Sequence, residues 1–165
     1  MEHVKAWIIN GPNLNLLGIR ETEIYGKTGM DELLSSLGRE FPNDLIEYFQ
    51  SNHEGQLIDC LQSSLRHAFP VNPALTDRSN PFPTHIPDFV LLNPGGLGHS
   101  SVALADTVAA LTVPVYEIHL THPASRESFR QVSYITPSCK GLVSGFGIQS
   151  YLWAYRAARA NILGS

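Results

Sequence analysis

The feature that most constrains this chain is a repeated alternation between short, largely apolar runs and segments whose apolar residues recur at helical spacing. Short runs without polar alternation are typical of strands that are buried on both faces. Such strands occur in parallel sheets that helices cover on both sides. The alternation occurs about five times, so we predict an α/β fold with a three-layer, doubly wound, five-stranded parallel sheet.

The pattern also predicts where each element lies. The first helix carries Thr28 and Asp31 at capping-box spacing. Ser100 or Ser101 is expected to cap the third helix, with Val102, Ala105, Val108 and Ala109 on one side. The predicted strands are 4–9, 45–49, 89–92, 115–120 and 142–146, and the predicted helices begin near 31, 57, 101, 126 (short and basic) and 148.

Composition limits the classes of protein to which the chain can belong. With 165 residues, 43% of them hydrophobic, the chain is expected to form one globular domain over 1–165. Its net charge of -4 contains no block of like charge, so a nucleic-acid partner is not expected. No apolar run approaches the length of a membrane span, and we expect a soluble, cytoplasmic protein.

One segment interrupts the alternation of strands and helices. Five of the eleven prolines fall between 70 and 87, within a stretch that is also rich in Asn, Ser and Thr. Proline removes a backbone donor and fixes φ, so this stretch is not expected to form regular structure. We interpret about 66–88 as a loop insert on the domain.

Ligands of open parallel sheets bind beyond the carboxyl ends of the strands. The helix that starts near Ser100 would direct free N–H groups towards this edge, which favours a small polar anion. The polar residues that directly follow the predicted strands are Asn10, Asn13, Ser51, Asn52, His53, Asn93, His99, His119, Thr121, His122, Arg126 and Arg130.

Three pairs in this set have spacings that suit chemistry. Glu117 and His119 are two apart on a strand, so they share a face, and a carboxylate beside an imidazole suits a proton donor. Arg126 and Arg130 could clamp a carboxylate, and Arg20 could favour the phenolate of Tyr25. From spacing alone, Glu117 and His119 could equally be solvated partners. Two such arginines are more often a solvated face, and a lone loop tyrosine is more often a surface aromatic.

Two familiar kinds of site are disfavoured. The loop after the first strand reads NGPN at 10–13 and lacks the glycine pattern of a dinucleotide or Walker loop. Glu117, His119 and His122 could join His99 around a metal, but their spacing matches no strong metal motif. We therefore expect no cofactor and no metal.

Several blocks of the sequence resemble the type II 3-dehydroquinate dehydratase family, in the family's order along nearly the whole chain outside the insert. They are INGPNLNLLG at 9–18, RE at 20–21, IYG at 24–26, QSNHEGQLID at 50–59, NPGG at 93–96, HSSVA at 99–103, EIHLT at 117–121, RE at 126–127, FR at 129–130, SYI at 133–135 and GFGIQ at 145–149.

This resemblance implies a flavodoxin-like fold and a dodecamer of four trimers. It also implies a lyase that converts 3-dehydroquinate to 3-dehydroshikimate and water, without cofactor or metal, in aromatic biosynthesis or quinate breakdown. Tyr25 would be the base, with its pKa lowered by Arg20, and Asn13 would hold a water on the enolate oxygen. His119, oriented by Glu117, would be the general acid.

The resemblance implies binding roles for further residues. Asn93 and His99 would bind ring hydroxyls, Leu120 and Thr121 would bind the carboxylate, and Arg130 would reach a substrate hydroxyl. Support for the loop that contains Tyr25 would come from Arg126, and Asp106 would reach a neighbouring subunit's site.

The chain departs from the family pattern at several positions. It reads THPASRE at 121–127 where the family usually reads SNxHARE, so Ala124 stands in place of a second histidine. Gly98 replaces a usual Thr, Ala105 replaces an Arg beside Asp106, and QV stands at 131–132 in place of a basic or His-containing pair. These changes bear on subunit contacts and substrate affinity.

A binding module without turnover, including a flavodoxin-like electron carrier, remains the alternative function. A structural protein without a ligand is the third hypothesis.

Overall fold

A computed structural model describes residues 3–19, 29–66 and 82–164 of the chain. Three residues discussed above, Arg20, Tyr25 and Thr28, lie outside these ranges, as does most of the Pro-rich segment. The roles predicted for Arg20 and Tyr25 therefore remain predictions.

Five parallel strands form a single sheet. They are β1 (Lys5–Asn10), β2 (Leu45–Gln50), β3 (Phe89–Asn93), β4 (Val115–His119) and β5 (Gly141–Ser144). The strand order is β2-β1-β3-β4-β5, which is the flavodoxin-like order. The predicted fold class is therefore confirmed, although β5 begins and ends earlier than expected.

Helices cover both faces of the sheet. They are α1 (Met30–Glu40), α2 (Glu54–Gln62), α3 (Val102–Ala110) and α4 (Gln149–Leu163). Successive strand residues point to opposite faces, so Ile8 packs in the core beneath α1 and α4, whereas Trp7 and Ile9 pack in the core beneath α2 and α3. This alternation explains why the strands read as unbroken apolar runs.

Three local predictions were wrong. The N-cap of α1 is Gly29, which has no side chain to complete a capping box with Asp31. Ser101 does cap α3 by accepting the Leu104 N–H at 2.8 Å, but the buried face carries Leu104, Thr107 and Val108, while Val102 is 62% exposed. The predicted basic helix at 126–130 is replaced by two 3₁₀ turns, Pro123–Ser125 and Ser128–Arg130.

Close backbone approach explains the glycine after β1. Gly11 donates its N–H to the Asn93 carbonyl at 2.8 Å, and a Cβ at this position would lie 2.4 Å from the Pro94 oxygen. Only glycine allows the loops after β1 and β3 to approach this closely. These two loops form part of the cavity described below.

The end of the Pro-rich segment is anchored to the domain. Glu47 on β2 accepts the backbone N–H groups of Thr84 and His85 at 2.8 and 3.1 Å. The Arg66 guanidinium donates to the carbonyls of Pro83 and Thr84, each at 2.8 Å.

Within the described part of the chain, no helix is long and apolar enough to cross a membrane.

Candidate active site

A cavity of about 340 Å³ opens at the carboxyl ends of β1, β3 and β4. Because β2 lies on one side of β1 and β3 lies on the other, the order in which successive strands are added to the sheet reverses here, and doubly wound folds bind ligands at such a point. The cavity is lined by Pro12, Asn13, Leu14, Leu16, Leu17, Asn93, Gly95, Gly96, His99, His119, Leu120, Thr121, Pro123, Arg126, Glu127 and Arg130.

Glu117 and His119 form a buried acid–imidazole pair at the end of β4. His119 Nε2 lies 2.7 Å from Glu117 Oε1, and Glu117 is fully buried. Ser133 Oγ donates to Oε1 at 2.9 Å, and the Thr136 hydroxyl donates to Oε2. Burial alone would raise the pKa of Glu117, but hydrogen bonds from His119, Thr136 and Ser133 together hold it below its ordinary value. The carboxylate is therefore charged, and His119 Nε2 carries the hydrogen directed at it.

A second imidazole lies against the first. The rings of His99 and His119 are stacked with centroids 5.7 Å apart. His99 Nδ1 lies 2.8 Å from the Val132 carbonyl oxygen, which can only accept a hydrogen bond. Nδ1 of His99 therefore carries hydrogen, so Nε2 is the ring nitrogen left for a ligand.

The amide of Asn93 is held from behind the cavity. Its Nδ2 donates to the Tyr151 hydroxyl at 2.9 Å, and its Oδ1 accepts the Gly95 N–H at 3.2 Å. Tyr151, fully buried on α4, donates in turn to Asn10 Oδ1 at 2.7 Å. Burial raises the pKa of Tyr151, so its hydroxyl keeps its proton and serves as a donor. Both amide ends of Asn93 are therefore fixed in orientation.

Asn13 lines the cavity from the loop after β1 and has a left-handed backbone. Its φ is 68°, in a region that asparagine tolerates better than most residues. Asn52 Oδ1 accepts the Asn13 N–H at 2.9 Å and the Gln50 side-chain amide at 3.1 Å. The loops after β1 and β2 thus hold Asn13 in place.

Two arginines give the cavity its positive charge. Glu127 Oε2 lies 2.9 Å from Arg130 Nε and 3.4 Å from Arg126 Nε. Its own backbone N–H and these two guanidinium groups lower the pKa of Glu127. Arg126 also donates to the Thr121 hydroxyl at 3.4 Å. Two cations and one anion leave this wall with a net positive charge that suits an anionic ligand.

Most of the predicted crevice residues come together here. Asn13, Asn93, His99, His119, Leu120, Thr121, Arg126 and Arg130 all line the cavity, and Glu117 lies directly behind His119.

Other predicted crevice residues lie elsewhere. Asn10 is buried behind Asn93, and Asn52 holds the Asn13 backbone. Ser51 bonds to the backbone of His53 at the start of α2, and neither residue lines the cavity. His122 is also absent from the lining.

Asp106 is exposed on α3 and does not line the cavity of its own subunit. The first turn of α3 does not line the cavity either, and the prediction that its free N–H groups favour an anion stays a prediction. Among the residues that the structure describes, no three His, Cys, Asp or Glu side chains are grouped so that they could hold a metal ion.

Sequence reasoning missed three supporting residues. Tyr151, Ser133 and Thr136 bond to site residues that are 58, 16 and 19 positions away in the chain. No local spacing could have connected them with the site, because the contacts depend on how α4 and the loop before β5 pack.

Comparisons with known proteins agree with this geometry. Residues 4–159 match the family model described as Dehydroquinase class II. A 3-dehydroquinate dehydratase of Caldicellulosiruptor bescii is 39% identical over 158 residues, which cover 94% of this chain and 96% of that protein. Its counterpart in Phenylobacterium zucineum is 41% identical over 159 residues, with 92% and 93% covered. The crystal structure of a type II dehydroquinase from Butyrivibrio crossotus has a TM-score of 0.79 at 33% identity, covering 94% of this chain and 97% of that one.

Proposed function

Because this chain belongs to the class II dehydroquinase family, we propose that it removes water from 3-dehydroquinate to give 3-dehydroshikimate, a step of the shikimate pathway. The observation that carries this function is the Glu117–His119 pair at 2.7 Å, which faces a cavity lined by two arginines. An imidazole held by a buried carboxylate can give a proton to a leaving group. The positive wall matches the negative charge of the substrate.

The elimination is proposed to proceed through an enolate. Tyr25, assisted by Arg20, takes the proton at C2 beside the ketone, and the electron pair moves onto the carbonyl oxygen. Asn13 holds a water that donates to this oxygen, where negative charge develops. The pair then returns to form the C1–C2 double bond, and His119 protonates the departing C1 hydroxyl. No redox step and no metal are needed for this balance.

Substrate binding is assigned to the remaining lining residues. The backbone N–H groups of Leu120 and Thr121 and the Thr121 hydroxyl bind the carboxylate. The Thr121 oxygen already accepts from Arg126, so its own hydrogen can be donated to an anion. Asn93 and His99 bind ring hydroxyls. Arg130 reaches a further hydroxyl, and Arg126 supports the segment that contains Tyr25.

We also propose a homo-oligomer, a dodecamer of four trimers, in which Asp106 contributes to a neighbouring site. The exposure of Asp106 on α3, away from its own cavity, supports this role. Ala105 beside it lacks the arginine usual in the family, so the charge pairing at this contact differs. Measurement of the mass in solution tests the assembly. If Asp106 completes a neighbouring site, Asp106→Ala should lower activity.

The proposed location is the cytoplasm, and the chain could also serve quinate breakdown. Deleting its gene and testing growth without aromatic amino acids, and separately on quinate, distinguishes the two metabolic roles.

The decisive experiment is a turnover assay on the intact chain. Product formation from 3-dehydroquinate is followed by the ultraviolet absorbance of the conjugated enone, with borohydride and a chelator in parallel samples. We expect turnover that neither reagent affects and that Tyr25→Phe abolishes. Binding of substrate without turnover would instead favour the non-catalytic binding module.

A further inference from the structure

The buried carboxylate of Glu117 receives two hydroxyl donors from the loop that precedes β5. Ser133 bonds to Oε1 and Thr136 bonds to Oε2, while His119 also bonds to Oε1. Neither hydroxyl residue lines the cavity, so neither touches a ligand there. Among the described residues, their hydrogen bonds to the site go to Glu117.

The direction of the Ser133 hydrogen is fixed by its surroundings. Ser133 Oγ accepts the backbone N–H groups of Ile135 and Thr136, each at 3.2 Å. A hydroxyl can accept two hydrogen bonds and donate one. Because both accepting positions of Ser133 Oγ are used, its single hydrogen is donated to Glu117 Oε1 at 2.9 Å. This loop is therefore organised to present hydrogen-bond donors to the carboxylate.

The same loop also holds the second imidazole. The Val132 carbonyl accepts from His99 Nδ1 at 2.8 Å, and the Tyr134 N–H donates to the Gly98 carbonyl at 2.9 Å. Ile135 is fully buried in the core beneath α2 and α3, which anchors the loop to the body of the domain. One short segment thus braces both stacked histidines.

We propose that Thr136 and Ser133 are positioning residues for the general acid: their hydroxyls keep Glu117 an ionised acceptor, so that the proton stays on His119 and the ring stays aimed at the cavity. This inference rests on the proposed dehydratase function. Hydroxyl donors stabilise the charged carboxylate and not its protonated form. Without them, the buried pair can move the Nε2 hydrogen onto Glu117, so that His119 loses its orientation and the negative charge that supports its charged, acidic form.

Thr136→Val is the sharpest test because it removes the hydroxyl at almost constant volume. Thr136→Ser retains the hydroxyl and is the rescue variant. Ser64→Ala is the matched control, since the Ser64 hydroxyl also donates a hydrogen bond, to the Leu61 carbonyl at 2.7 Å, away from the site. Each variant is assayed for kcat and KM, and its unfolding midpoint in urea is measured.

Loss of orientation of a reacting group can cost about 100-fold in rate, so we expect Thr136→Val to lower kcat about 10- to 100-fold with KM within about threefold. Thr136→Ser should restore most of kcat, and Ser64→Ala should leave it unchanged. An unchanged kcat in folded Thr136→Val, or an equal loss in Thr136→Ser, would overturn the proposal. If Thr136→Val does not fold, Thr136→Ala is subject to the same criteria.

A second readout does not depend on turnover. Side-chain ¹⁵N NMR of the histidines should show His119 with hydrogen fixed on Nε2 in the wild-type chain and in Ser64→Ala, and a mixed state in Thr136→Val. If the wild-type chain fails to dehydrate 3-dehydroquinate, the proposed function is wrong, and this spectrum still decides the positioning role. An identical His119 signal in Thr136→Val would refute that role.

Discussion

The two charged walls of the cavity are built in different ways. On the β4 side, His119 is backed by a fully buried carboxylate whose three hydrogen bonds come from β4 and from the loop before β5. In the turns that follow β4, Arg126 and Arg130 share the half-exposed Glu127. Buried networks fix geometry, whereas exposed ion pairs in water supply charge with little rigidity. A proton donor needs the first property, and attraction of an anion needs the second.

The largest effect should come from a change in the buried Glu117–His119 pair. We expect His119→Asn to lower kcat by about 10²- to 10⁴-fold with a small change in KM, because general acid catalysis contributes that range. Steady-state kinetics on 3-dehydroquinate measures both constants. A change confined to KM would mean that His119 binds substrate and does not give it a proton. The Glu117–His119 pair would then have the same role as the arginines around Glu127.

Removal of the Tyr151 hydroxyl tests how far the rigidity of this region extends. Tyr151→Phe leaves Asn93 Nδ2 and Asn10 Oδ1 without their buried partner, which should lower the free energy of unfolding by about 1–3 kcal/mol. KM should rise, because Asn93 is no longer fixed. Chemical denaturation and kinetics check the two effects. Tyr48→Phe is the control, since its bond to Asn10 is long, at 3.5 Å.

Stability should also depend on the ionisation of Glu117. Its pKa in the folded chain lies below the ordinary value of a glutamate, so its charged form stabilises the fold at pH values above that ordinary value. This contribution is lost as the pH falls through the lowered pKa. Urea unfolding at several pH values should therefore show a steeper acid loss in the wild-type chain than in Glu117→Gln. Parallel pH curves for the two would contradict the assignment.

The smallest effect on the kinetic constants is expected from a change in the ion pairs of Glu127 with Arg126 and Arg130. Glu127→Gln removes the shared anion, so the two guanidinium groups attract substrate more strongly and KM should fall, by less than about fivefold. Because exposed charges are screened by salt, the difference should shrink as sodium chloride is added. A large fall in kcat would show that this turn is as rigidly coupled to the chemistry as His119.

Local spacing was enough to predict the fold class and to place Glu117 beside His119, but only the resemblance to a known family gave this pair a role. Fully apolar strands indicated a covered parallel sheet, and the two-residue spacing of Glu117 and His119 placed them on one face, where they meet at 2.7 Å. The short basic helix was wrong because the backbone is extended at Arg126 and Glu127, with ψ of -169° and 147°, and this extended stretch separates two 3₁₀ turns. The face of α3 was wrong because Val102 and Ala109 are exposed while Thr107 is buried, which hydrophobic spacing does not predict.

The sequence alone determined the α/β alternation, the strand ends that carry polar side chains, and the pairing of Glu117 with His119, because each depends on neighbours within a few positions. Only the tertiary structure decided which of those polar residues face the cavity and what holds them there. Tyr151 meets Asn10 across 141 positions, and Ser133 and Thr136 reach Glu117 from a separate loop. Such contacts follow from the packing of helices and loops on the sheet, a global minimum of free energy that no short stretch of sequence encodes.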